Sequence, residues 1–144
     1  MDYTELIDVD CEKLDRKEWD IIYSFVSGPG MRGYSAHKTE SASLFVFGGD
    51  NSVFRIGVKF NEGKHVDFNG LTPGCNLGDS RTVFGQPNFK GVQALRRNWY
   101  LPEVYDRYVR ARFSMDVFAW PITGKVKWIL IYNPDKMRLA GLMR

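Results

Sequence analysis

The sequence predicts an α+β fold: an antiparallel β-meander with helices packed on one face, in the order α-β-β-β-loop-α-α-β-β-β. Two observations carry this. Apolar and polar residues alternate in short runs separated by turn residues, which is the pattern of half-buried antiparallel strands. Elsewhere apolar residues recur at helical spacing behind capping signals. A chain of 144 residues reads as one domain over 1–144 and is long enough to bury a core without disulfides or metals.

The first helix is expected at about 16–27. Asp15 and Glu18 form a capping box, Trp19, Ile22 and Val26 share a face, and Gly28-Pro29 ends the run. A loop over 28–42 leads to a hairpin of Leu44–Phe47 and Ser52–Phe60 around Gly48-Gly49-Asp50-Asn51. Phe54, Ile56, Val58 and Phe60 alternate with Arg55 and Lys59 in its second strand. A short third strand follows at His65–Phe68. Residues 69–91 carry five glycines and two prolines and read as a long loop.

Helix is expected again from about Val92, and Pro102 suits the first position of a further helix over 102–112. There Val104, Tyr105, Tyr108 and Val109 make a stripe, and Glu103–Arg107 and Asp106–Arg110 stand as i,i+4 ion pairs. Three strands complete the chain: Phe113–Trp120, one with Val126, Trp128, Leu130 and Tyr132 on one face, and Met137–Met143.

Charge is distributed unevenly. Residues 1–20 carry a net charge of −5, residues 81–144 carry +8, and the whole chain carries +3. The acidic residues 1–14 read as a solvated, mobile terminus. The basic end either neutralises the acidic start or offers a face to an anionic partner. Cys11 and Cys75 are too few for a disulfide framework, and no signal peptide or membrane-spanning run is visible. These features predict a soluble, cytoplasmic protein with no cofactor and no metal.

The segment 81–112 holds seven cations among six aromatic rings and only two acids. Setting Arg107 and Arg110 aside as paired leaves Arg81, Lys90, Arg96, Arg97 and Arg112 free, and the first four, with Trp99 and Tyr100, make the expected binding surface. Guanidinium groups beside aromatic rings suit phosphate contact and base stacking. The leading expectation is therefore a binding module for single-stranded nucleic acid, a nucleotide or an acidic protein surface.

Two other classes stay open. His37, His65 and Asp67 would make a small phosphoesterase or nuclease site if the fold brought them together. His65 and Asp67 share one face of an extended strand. A protein–protein inhibitor or accessory factor needs no catalytic signature. Phosphate loops are excluded by motif and context: Gly28-Pro29-Gly30-Met31-Arg32-Gly33 has glycine spacing but follows an expected helix, and Pro29 removes an N–H. The loop glycines could lower the pKa of Cys75 through backbone amides.

Overall fold

The computed structural model describes residues 2–15, 17–19, 21–26, 31–36, 42–60, 66–95 and 98–142. Eight strands form one antiparallel sheet: β1 (Ile21–Val26), β2 (Met31–Ala36), β3 (Ala42–Phe47), β4 (Ser52–Lys59), β5 (Phe89–Leu95), β6 (Asn98–Val109), β7 (Ser114–Ala119) and β8 (Val126–Tyr132). Their order across the sheet is β1-β2-β3-β4-β8-β7-β6-β5. Among the described residues two short α-helices accompany them, α1 (Leu77–Phe84) and α2 (Pro134–Leu139).

This architecture corrects the expected three-helix α+β arrangement. Asp15 does start a turn: its side chain accepts from Lys17 N–H and its carbonyl from Trp19 N–H. The turn stops there, because Ile21–Val26 is rich in β-branched and aromatic residues and pairs with β2. The two helices expected between Val92 and Arg112 are the strands β5 and β6. Pro102 lies where the β5–β6 register slips and before β7 pairing begins, a place that tolerates a missing N–H. The expected last strand is instead α2, whose start is capped by the Asn133 side chain on Asp135 and Lys136 N–H. No strand forms at residues 66–68 beyond a single bridge from Phe68 to Leu71.

The strands at 44–47, 52–60, 113–120 and 126–132 lie close to their expected positions. Two bulges alter their faces. A register shift between Phe45 and Val46 puts Phe54 on the face opposite Ile56 and Val58. A second shift between Phe118 and Ala119 separates Val126 from Trp128, Leu130 and Tyr132.

Both faces of the central strands carry buried clusters. One carries Leu44, Val46, Ile56, Val58, Met115, Val117, Ile129 and Ile131, which pack with Ile7, Trp19, Phe68 and Leu71 and with Leu77 and Phe84 of α1. Each fully buried aliphatic side chain there contributes about 1.5–3 kcal/mol. The acidic N-terminus docks on this layer. Asp8 N–H donates to Val53 and Cys11 N–H to Asn51, while Tyr3 stacks on Phe68. The other face gathers Phe54, Phe118, Leu130 and Tyr132 with Met137 of α2. On that face the Tyr105 ring lies over Gly91 of β5, where an added Cβ would come within 2.5 Å of the ring.

Candidate functional site

The charged residues of β6 alternate between faces, and each has a partner from another part of the chain. Asp106 takes two hydrogen bonds from Arg81 of α1, at 2.8 and 2.9 Å. Arg107 donates to both oxygens of Asp116 on β7, at 2.8 and 3.0 Å. Glu103 pairs with Lys127 of β8. The i,i+4 pairs Glu103–Arg107 and Asp106–Arg110 therefore do not exist, because a strand sends those side chains to different neighbours.

These pairings decide what remains of the expected binding surface. Arg81 has its Nε and one Nη engaged by Asp106. Lys90 lies in β5, at the sheet edge, in register with Asp106. Trp99 and Tyr100 belong to the backbone of β6, and Arg96 and Arg97 lie outside the described residues. His37 and His65 also lie outside them. Asp67 is in a loop, where its side chain accepts from Gly70 N–H. The thiol of Cys75 is not activated. Burial, then the nearby Asp79 charge, push its pKa up, and these outweigh a backbone hydrogen bond acting the other way.

A different concentration of chemistry lies at one end of the sheet. A groove of about 700 Å³ is lined by Lys59 and Phe60, by Glu103, by Trp120, and by Lys125, Lys127 and Trp128. The end of β4, the middle of β6, the β7–β8 connection and the start of β8 supply these residues. Lys59 and Lys125 are exposed, and neither has an ion pair among the described residues. Lys127 lies 3.9 Å from the centre of the Trp120 ring. Trp128 is held flat against Phe118, with ring centres 4.5 Å apart and planes 8° apart.

Glu103 is the unusual member. It is only 2% exposed, and one carboxylate oxygen meets Lys127 while Oε2 meets no donor. A buried acceptor left unpaired is costly, so such atoms mark places where a partner is missing. Among the described residues the groove thus offers two unpaired ammonium groups, two indole walls and one unsatisfied acceptor. That set fits an anionic chain that also carries N–H donors. Sequence reasoning missed it because no motif joins these positions; the local signal was the dense Trp120-to-Trp128 stretch with its two lysines.

No family model and no curated protein matches the chain. Solved structures do resemble it in fold. A cysteine-rich secretory protein from Staphylococcus aureus subsp. aureus Mu50 is 11% identical, with a TM-score of 0.64, over 95% of this chain and 48% of that one. An extracellular protein containing an SCP domain, from Bacillus anthracis str. Ames, is 12% identical, with a TM-score of 0.63, over 97% of this chain and 48% of that one. The chain therefore spans about half the length of either protein. Their descriptions correct two expectations: one is secretory and the other extracellular, against a cytoplasmic placement, and neither is described as binding nucleic acid. At this identity the likeness is one of fold.

Proposed function

We propose that the chain is a binding module that holds an acidic segment of a partner protein in the groove at the Lys59–Lys125 end of the sheet, outside the cell. The carrying observation is the juxtaposition of two unpaired lysines with the Trp120 and Trp128 walls. Carboxylates of the segment would meet Lys59 and Lys125. A main-chain N–H of the segment would reach Glu103 Oε2, and its apolar stems would lie on the indoles. The extracellular placement is supported by the descriptions of the two similar proteins.

Tryptophan fluorescence titrations with octaglutamate and octaglutamine test the reading. Octaglutamate is expected to give a saturable change that weakens as salt rises, because the lysines are solvent-exposed. Octaglutamine is expected to give none. The double variant Lys59→Ala/Lys125→Ala should lose roughly threefold to tenfold in affinity, as two exposed ion pairs allow. An equal response to both peptides would overturn the proposal. Fractionation of the source cells tests the placement, which fails if the protein is confined to the interior.

A further inference from the structure

Three arginines on the central strands and α1 invite comparison. Arg81 and Arg107 each present Nε and one Nη as a fork to a carboxylate, Asp106 and Asp116 respectively. Such two-point pairing is the favoured geometry between guanidinium and carboxylate. Arg55 of β4 is the third. Its Nε is buried and has no acceptor, and among the described residues it has neither a hydrogen bond nor an ion pair. Its guanidinium lies 5.0 Å from the centre of the Phe45 ring. That contact offsets part of the cost of burial but satisfies no N–H. Burial holds the Arg55 pKa below the ordinary arginine value.

Beside Arg55 is a cavity of about 240 Å³, lined also by Arg107, Asp116, Tyr132, Phe118 and Trp128. Asp116 is not available to Arg55. Both its oxygens take Arg107, and the Tyr132 hydroxyl contacts them at 3.3 Å. Within the cavity, Arg107 and Asp116 cancel in charge, and Arg55 is left uncompensated. Apart from Gln93, the remaining walls are aromatic and aliphatic.

We propose that Arg55 and this cavity form a carboxylate-binding site for a small organic acid with an apolar body. The fork of Arg55 takes the carboxylate as the forks of Arg81 and Arg107 take theirs, and Phe118 and Trp128 face the apolar part. The site is separate from the lysine groove, although Trp128 borders both. It stands whether or not the groove takes an acidic segment.

Benzoate and its neutral isostere benzamide provide the test, at constant ionic strength. The arginine Nε–H signals are followed by NMR while affinity is measured by calorimetry. The Arg55 signal is expected to move saturably with benzoate and to stay in place with benzamide. Arg55→Met should weaken benzoate binding by about tenfold or more, as loss of a charge-assisted pair implies. Arg55→Lys keeps the charge without the fork. It should also bind more weakly than wild type, which keeps the test decisive if the methionine variant does not fold. Equal binding of the two probes, a non-saturable response, or unchanged binding in a folded Arg55 variant would overturn the proposal.

Discussion

One lysine governs the charge of Asp50. Burial raises the pKa of this carboxyl, but hydrogen bonds from Lys136 and Ser52 outweigh it and bring the value from an ordinary 3.8 to about 2. A folded pKa below the unfolded one adds stability at pH values above the unfolded pKa. That contribution is lost as pH falls through the folded pKa. The window is therefore about 3.8 down to about 2. Since Asp50 is half exposed, solvent limits the size of the effect. Urea melts across this window should show a shallower loss of stability in Asp50→Asn than in wild type, and parallel curves would refute the assignment. Other single residues were harder to read from sequence. That Arg81 is engaged and Arg55 unpaired depends on which strand lies opposite, information that no local pattern holds.

At the scale of elements, the short hairpins were legible and the helices were not. Alternation with tight turns is a two-residue signal that the sheet preserves, which is why β3, β4, β7 and β8 lie near their expected places. The segment 102–112 satisfies both periods. Its helical stripe of Val104, Tyr105, Tyr108 and Val109 is equally a strand with buried charges on both faces, once Arg81, Asp116 and Lys127 pair with them. Of the two helices that do form, α1 lay hidden in the glycine-rich stretch. Asn76 accepts from Asp79 N–H and Asp79 accepts from Asn76 N–H, both at 2.9 Å, and Gly85 closes the helix at a φ of 84°. Asn76→Ala should lower unfolding free energy by about 1 kcal/mol, while Asn76→Asp should retain most of it. Chemical denaturation of the two variants checks this, and equal losses would show that the cap contributes nothing.

Across the whole molecule, the uneven charge is partly cancelled and partly displayed. Lys136 near the C-terminus meets Asp50 at 2.7 Å and approaches Asp8 to 3.6 Å, so the acidic start and basic end do meet. The surplus in the proposed groove is elsewhere, on Lys59 and Lys125. The candidate groove was illegible for the same reason as the Arg55 cavity: its residues come from β4, β6 and β8, and only the sheet order makes them neighbours.

That order has a kinetic consequence. β1 to β4 pair in sequence, as do β5 to β8, and the two ladders meet only where β4 pairs with β8. Each ladder can zip from its own turns, but the β4–β8 seam must close a long loop before it gains any contacts. Seam closure should therefore define the folding barrier. Val58, buried in the seam opposite Ile129, reports on it: in stopped-flow refolding, Val58→Ala should slow folding with a φ-value above about 0.5. An unchanged folding rate with faster unfolding would place seam closure after the barrier, and the two halves of the sheet would then dock only once the chain was committed to fold.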